Sequence, residues 1–217
     1  MSDFDATDNA PGPRRIPQQD RSRSIVLAIR EAGLLILNES GPAALNTKCI
    51  AERAGVGIAS LYRYYPNKEA ILGDIYEAQV ETIDAEYRQR LQSDELYCLT
   101  LEQKIRTIVE LPLLLTRRLL SLHQGFYREH HLHFEITYRP SPDRQHSWGE
   151  WSELWLKSVL ETHSEELRVD DTEQAAFIVL SGLRSSIDKA VARYPEYLVD
   201  PSFADNLVDM ACRYLLK

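Results

Sequence analysis

Apolar residues recur at the three- and four-residue spacing of helices from about residue 25 to the C-terminus. The first stripe consists of Ile25, Ile29, Ala32 and Ile36, and the helix that carries it is predicted to end near Gly41. No stretch alternates apolar and polar residues over a useful strand length. The pattern therefore predicts an all-α protein of about nine helices.

Turn residues divide the remaining pattern into segments. Eight further helices are predicted at about 46–54, 58–65, 67–91, 100–115, 117–134, 144–164, 171–193 and 201–216. Asn67, Asp170 and Asp200 stand at starts of these segments and are predicted to be N-caps. Pro112 is expected to kink or break the helix at 100–115.

Three regions follow from composition and pattern. Residues 1–20 place three prolines and a glycine among polar residues, which predicts a disordered tail. Residues 21–66 hold the first three helices and form the first predicted domain. Residues 67–217 hold the remaining helices and form the second, a helical bundle.

Formal charge is unevenly distributed along the chain. The whole chain carries −8, from 25 Lys and Arg residues and 33 Asp and Glu residues. Residues 14–68 nevertheless carry +5, with nine cations and four anions, which leaves −13 for the other residues. A basic region on an acidic body is the distribution expected when one end of a protein meets a polyanion.

The composition is that of a soluble globular protein, with 44% hydrophobic and 27% charged residues. We find no apolar segment long enough to span a bilayer and no signal peptide, and we expect a cytoplasmic protein. The three cysteines, Cys49, Cys98 and Cys212, fit neither a disulfide framework nor a metal site. Buried, reduced thiols are expected.

Residues 46–65 have the pattern of two short helices that meet at a glycine turn. Ile50, Val56 and Leu61 can pack inward, while the small Ala51 and Gly55 allow the two helices to cross closely. This is the arrangement of a helix-turn-helix, whose second helix enters the major groove of DNA.

The same region resembles the N-terminal domain of the tetracycline-repressor (TetR) family. The resemblance covers about residues 21–72, with many positions agreeing in one ungapped register. The residues that carry it are Ala32-Gly33, Ile36-Leu37, Gly41, Ile50-Ala51, Ala54-Gly55-Val56, Leu61-Tyr62-Arg63-Tyr64-Tyr65, Lys68-Glu69 and Leu72. It implies a helix-turn-helix DNA-binding domain at 21–66 and an effector-binding and dimerisation domain at 67–217.

The resemblance also implies roles for single residues. Asn46 caps the second helix, and Asn46, Thr47 and Lys48 face DNA at its start. The residues placed to contact phosphates are Ser60, Tyr62, Tyr64 and Lys68. Such contacts fix the register and dominate affinity, but they carry no sequence information.

Three positions depart from the family pattern. Gly57 stands where the family often has a capping serine, and Ile58 and Ala59 occupy positions expected to face base edges. Neither of these two side chains can hydrogen-bond, so they can only contact thymine methyl groups or allow close backbone approach. We therefore hypothesise that Lys48 and Arg63 make the polar base contacts, with the basic arm at 14–23 reaching a minor groove.

The last two predicted helices carry broad apolar or small-residue faces. In the final helix one stripe consists of Phe203, Leu207, Met210 and Tyr214, and the adjacent one of Ala204, Val208, Ala211 and Leu215. The helix before it carries Ala175, Val179, Gly182, Ser186 and Ala190, which permit close crossing. We predict a homodimer through these two helices, as the resemblance also implies; a broad intramolecular core is the alternative.

Three tryptophans, Trp148, Trp151 and Trp155, lie at helical spacing on one face of the helix predicted at 144–164. Burying all three fully is costly because each indole N–H needs a partner. We expect them to line a pocket for a small hydrophobic or aromatic effector, with Phe126 and Tyr127 as the opposite wall. Ordinary core packing is the alternative.

A transcriptional regulator is favoured over an enzyme because the chain has no nucleophile elbow, phosphate loop or paired acids at a recognisable site. The histidines between residues 123 and 146 match no recognised metal site, so neither a metal nor another cofactor is expected. The favoured function is a repressor, associated with the bacterial nucleoid, that a small-molecule effector releases from operator DNA. The alternative is a DNA-bound regulator or activator that responds to a protein partner.

Overall fold

A computed structural model describes residues 20–91, 98–141 and 144–217. These residues form ten α-helices and no strand longer than an isolated bridge. The helices are α1 Asp20–Ser40, α2 Thr47–Arg53, α3 Ile58–Tyr64, α4 Lys68–Leu91, α5 Leu101–Leu122, α6 Gln124–His130, α7 Trp148–Thr162, α8 Thr172–Arg193, α9 Pro195–Val199 and α10 Pro201–Leu215. The predicted all-α class is confirmed, with the short α9 in addition to the expected elements. The predicted tail lies outside the described residues, apart from Asp20.

Of the kink or break predicted at Pro112, the break is wrong, because α5 runs from Leu101 to Leu122 with this proline inside it. A proline removes one backbone hydrogen bond from a helix interior. Here the residues on either side, Leu111 and Leu113, are buried, so packing holds the helix through that defect. The chain instead leaves the helical conformation at His123, whose φ is −160°.

The N-cap prediction for α8 is wrong by one residue. Asp171, and not Asp170, accepts a hydrogen bond from the backbone N–H of Gln174 at 2.9 Å. The caps predicted for α4 and α10 are confirmed, because Asn67 accepts from Ala70 and Asp200 accepts from Ser202, each at 2.9 Å.

The first of two compact units contains the described residues 20–82 together with Leu119–Phe134. Within it, Gly33 of α1 lies so close to α4 that a Cβ atom there would be 2.8 Å from Cδ1 of Ile75. The buried Tyr76 hydroxyl donates to the carbonyls of Leu119 at 2.9 Å and His123 at 3.1 Å. Glycine thus permits close packing of α1 on α4, and one tyrosine ties α4 to the end of α5. The domain boundary predicted after residue 66 stays a prediction.

The second unit contains Ile83–Arg118 and Glu135–Lys217, within the described residues. Helix α7 begins with a capping box in which Ser147 and Glu150 satisfy each other's backbone N–H groups. Its inner face buries Leu156 and Leu160, and α8 buries Ala176 and Leu183. These apolar faces explain why α7 and α8 pack together along their lengths.

Two further predictions concern the cysteines and the membrane. Cys49 and Cys98 are exposed and Cys212 is partly exposed, so the expectation of buried thiols is wrong. No helix among the described residues is long and apolar enough to cross a membrane.

Candidate nucleic-acid interface

The turn between α2 and α3 is set by its caps. Asn46 caps α2 by accepting a 2.9 Å hydrogen bond from the Cys49 N–H, as predicted. Gly55 then takes a φ of +66°, in the left-handed region that glycine enters without steric cost. Gly57 caps α3 through extended backbone alone, with no side-chain hydrogen bond. These residues end one short helix and start the next within a few positions.

The inner side of this turn is held by packing and by one polar network. Ile50, Leu61 and Tyr65 are completely buried. The Tyr65 hydroxyl donates to the Asp74 carboxylate at 2.5 Å, and the Arg30 guanidinium lies 3.4 Å from the same carboxylate. Burial, reinforced by that hydrogen bond, raises the pKa of Tyr65. The phenol therefore stays protonated and keeps donating, which fixes the end of α3 to α4.

The outer side presents a mixed surface. Ile58 and Tyr62 of α3 are 44% and 45% exposed, and Ala59 is also exposed. The Tyr62 hydroxyl lies 3.1 Å from the Thr47 hydroxyl, which joins α3 to the start of α2. The structure thus brings the start of α2 and the outer face of α3 together on one surface.

The cations near this surface are not equally available. Arg53 forms a bidentate ion pair with Glu39, with distances of 2.7 and 2.8 Å. The Lys48 side chain is 82% exposed, and its ammonium lies 4.0 Å from the Glu52 carboxylate. Arg63 is exposed and donates to the Ser60 hydroxyl at 3.3 Å. Lys48 and Arg63 can therefore reach a polyanion more readily than Arg53.

Two of the predicted phosphate contacts are partly enclosed by the protein. The Tyr64 ring is buried, and its hydroxyl donates to the Ser22 hydroxyl at 3.2 Å. Lys68, the first residue of α4, is half-buried. Ser22 and Asp74 were missed by the sequence argument, because a serine and an aspartate carry no signal for partners 42 and 9 residues away.

The predicted effector residues fall into both units. In the first, Phe126 and Tyr127 are buried, with ring centroids 5.1 and 6.0 Å from that of Tyr76. In the second, the indoles of α7 follow one another, with centroids 5.5 Å apart for Trp148–Trp151 and 6.3 Å for Trp151–Trp155. Their helical spacing thus does place them on one face of α7. Contact between an effector and these five residues stays a prediction.

The small residues predicted for a dimer contact on α8 lie largely on its inner side. Ala175, Val179 and Ala190 are buried within the second unit. The exposed side of α8 carries other residues, with Phe177 57% and Ile178 44% exposed. On α10, Leu207 is buried and Met210 is exposed. Helical spacing identified a stripe on each helix but not which stripe faces outward.

Acidic, histidine and cysteine side chains are dispersed within the part of the chain that the structure describes. No group of three or more of them is placed to hold a metal ion there. His133 lies 3.4 Å from the Glu77 carboxylate, and His123 instead caps α6 by accepting from the Phe126 N–H at 3.2 Å.

Comparison with known sequences finds two matches in the N-terminal part of the chain. The model of a family described as "Bacterial regulatory proteins, tetR family" matches residues 29–75. The HTH-type transcriptional repressor KstR of Mycolicibacterium smegmatis is 35% identical over 68 residues, which are 31% of this chain and 31% of that repressor. The chain therefore matches about a third of the repressor's length.

Solved structures resemble the chain over most of its length. A transcriptional regulator from Cytophaga hutchinsonii matches with a TM-score of 0.54 and 16% identity, over 90% of this chain and 95% of that one. A TetR transcription regulator from Haloarcula marismortui matches with a TM-score of 0.50 and 19% identity, over 91% and 99%. At these identities the likeness shows the fold alone.

Proposed function

We propose that this chain is a sequence-specific DNA-binding transcriptional regulator of the tetR family, whose model matches residues 29–75. The observation that carries the proposal is the capped α2–turn–α3 unit, with Lys48, Ile58 and Tyr62 exposed together on its outer surface. A rigid inner side and a mixed polar and apolar outer side are what a helix needs in order to enter a major groove.

The phosphate contacts would come from hydroxyl and ammonium groups around that surface. Thr47 and Tyr62 already hold each other's hydroxyls at 3.1 Å, so both can turn toward one phosphate with little loss of side-chain freedom. Ser60 and the half-buried Lys68 would contribute further, with Tyr64 presenting its hydroxyl at the edge of a buried ring. Asn46 and Gly57 would offer the backbone N–H groups at the starts of α2 and α3.

The base contacts would come from two cations and two small apolar groups. Lys48 and Arg63 can each donate to guanine O6 and N7, whereas Ile58 and Ala59 can contact a thymine methyl group. Since Arg63 is held by Ser60 at 3.3 Å, its guanidinium must exchange that hydrogen bond for one to a base. A preferred site rich in both guanine and thymine is the result expected of this mixture.

We propose that the protein acts as a homodimer through α8 and α10, because one short recognition helix reads only a few base pairs. On α8 the exposed Phe177 and Ile178 would form the apolar centre of the contact. Two recognition helices would then meet half-sites about 34 Å apart.

An effector that binds the second unit would release the repressor by moving α4. This helix is continuous from Lys68 to Leu91 and contributes residues to both compact units. A shift of its first turn would change the spacing of the two recognition helices and weaken operator binding. The proposed ligand is a small hydrophobic or aromatic molecule that contacts the indoles of α7.

The test begins with selection of duplexes from a random library by the full chain. Binding of the enriched duplex is then measured at about 50 and 200 mM salt, where counterion release predicts a steep loss of affinity. Lys68→Ala should weaken all duplexes alike and lower the salt slope by about 1. Lys217→Ala, which removes a cation at the end of the second unit, is the matched control and should change neither quantity.

Base readout is tested separately by Lys48→Ala and Arg63→Ala. Each should relax the preference at one position by about 1–3 kcal/mol. An unchanged preference with lower affinity would assign both residues to phosphates. No enrichment of any duplex by the wild-type chain would refute the proposed function.

A further inference from the structure

Arg88 lies in the second unit, one turn after Asp84 in α4. Its Nε donates to Oδ2 of Asp84 at 2.8 Å, and its Nη1 donates to the carbonyl of Ser141 at 2.7 Å. Its Nη2 donates to the carbonyl of Pro140. One guanidinium thus ties the helix to two successive carbonyls that come before α7.

Trp148, the first residue of α7, completes the same cluster. Its indole Nε1 donates to Oδ1 of Asp84 at 2.6 Å, so both oxygens of this carboxylate are used. The Arg88 guanidinium carbon also lies 5.5 Å from the centroid of the indole ring. Trp148 is buried, and its backbone N–H donates to the carbonyl of Arg139 at 2.9 Å. The Trp148 side chain therefore binds the start of α7 to α4, and its backbone binds it to Arg139, next to the two carbonyls that Arg88 holds.

We propose that Asp84 and Arg88 are positioning residues that make α4 and the start of α7 move together. The inference rests on the proposed function, in which α4 connects the DNA-contacting residues with the second unit. Displacement of Trp148 is transmitted to α4 through the Asp84 carboxylate and the Arg88 guanidinium. The same contacts transmit displacement of α4 to Trp148.

The chemistry of the two residues favours a rigid link. Both side chains are about three-quarters buried, at 24% and 21% exposure, which protects their charge-assisted hydrogen bonds from water and salt. The planar guanidinium holds three acceptors in a fixed geometry and stacks on an aromatic ring, which an ammonium group cannot reproduce. Removing it would leave the Ser141 carbonyl, in a completely buried residue, without that donor.

Coupling is reciprocal, so operator DNA can serve as the probe while the effector is unidentified. The full chain is labelled with 5-fluorotryptophan, and the Trp148 signal in the fluorine NMR spectrum is assigned by its loss in Trp148→Phe. The duplex enriched by selection is then added to the wild type, to Arg88→Met and to Arg88→Lys. Arg106→Met is the matched control. It removes the ion pair in which Arg106 of α5 lies 2.8 Å from Asp205 of α10, and it leaves α4 unchanged.

In the wild type and in Arg106→Met, the duplex is expected to move the Trp148 signal and to slow amide exchange at 144–150 by about fivefold or more. In Arg88→Met both responses should disappear while the affinity for the duplex is kept. Arg88→Lys should retain only part of the response.

Two results would overturn the inference while leaving the proposed function intact. One is a wild type that binds the duplex without any response at Trp148, and the other is an Arg88→Met variant that responds like the wild type. If Arg88→Met does not fold, the lysine variant decides, and a full wild-type response in it overturns the inference. A wild type that enriches no duplex refutes the proposed function and the inference with it.

Discussion

The outward faces of α3 and α8 differ in length, charge and chemistry. Helix α3 has seven residues, and its outer face combines the exposed Ile58 with Tyr62 and Arg63. Helix α8 has 22 residues, and its outer face places Phe177 and Ile178 next to the exposed, uncharged Ser181. Both helices bury a leucine on the opposite side, Leu61 and Leu183. Their inner faces are thus alike and their outer faces are not.

The difference indicates what each outer face can bind. A polyanion selects cations and hydroxyls, and α3 together with the start of α2 offers Lys48, Thr47 and Tyr62. A large apolar side chain in water favours another apolar surface, which in the proposed dimer would be α8 of a second copy. The same pattern of burial holds both helices, and we propose that the cations beside α3 favour DNA contact whereas the exposed Phe177 and Ile178 of α8 favour self-association.

The largest expected effect comes from the feature that the two helices share. Leu61→Ala and Leu183→Ala should each lower the free energy of unfolding by about 2–5 kcal/mol, since both leave a cavity in a core. Only Leu61→Ala should also weaken operator binding at temperatures where the chain is folded, because Leu61 holds the recognition helix in place. Urea unfolding at one fixed protein concentration and duplex titration measure the two effects.

Equal loss of operator affinity in both variants would contradict the distinction between the two faces. It would mean that operator binding follows global stability and not the placement of α3. Circular dichroism before each titration serves as the control, since it establishes that the compared variants are folded.

A smaller effect of opposite sign is expected at two glycines. Gly55→Ala should destabilise by about 1–2 kcal/mol, because an L side chain at a φ of +66° is strained even with open space around it. Gly182→Ala, inside α8, should stabilise by about 0.5–1 kcal/mol, because beyond the adjacent backbone of α8 nothing lies within 4 Å of the added Cβ. Thermal unfolding at several protein concentrations measures both.

The effect of Gly182→Ala also tests whether α8 packs against a second copy of the chain. Destabilisation by Gly182→Ala, growing with protein concentration, would place that Cβ against a partner helix that a single chain does not contain. Stabilisation by Gly55→Ala would contradict the role of the left-handed turn.

The α2–turn–α3 unit was predictable because its determinants are local in sequence. The cap at Asn46, the turn at Gly55 and the inward Leu61 lie within 16 residues, and each has a single-residue reason. The course of α5 was not predictable from Pro112 alone, because burial of its neighbours decided whether the helix continued.

Contacts between residues far apart in the sequence could not be predicted from local patterns. Nothing near Tyr64 identifies Ser22 as its partner, and nothing near Trp148 identifies Asp84, 64 residues earlier. Helical spacing identified Ala175, Val179 and Ala190 as one stripe of α8 but could not show that a single chain already buries them. Which residues of α8 face the core depends on α7, and periodicity within α8 contains no information about α7.

The smallest expected effect concerns how each helix begins. Asp171 caps α8 with its carboxylate, whereas Gly57 caps α3 with backbone alone. A Cβ at Gly57 would meet only Ser60 Oγ at 4.0 Å, and its φ of −66° suits any residue. In Gly57→Ser the new hydroxyl should accept a hydrogen bond from the Ser60 N–H and raise the free energy of unfolding by a few tenths of a kcal/mol. Asp171→Gly should lower the free energy of unfolding by a similar amount.

Thermal unfolding of the two variants measures these shifts, and duplex titration of Gly57→Ser tests the position against DNA. Unchanged or higher affinity is expected, because a hydroxyl at the start of α3 can also donate to a phosphate. A stabilised Gly57→Ser variant that no longer binds the operator would show that the backbone at residue 57 approaches DNA too closely for a side chain. The glycine would then be kept for contact with the phosphate, and α3 would begin uncapped for a reason that α8 does not share.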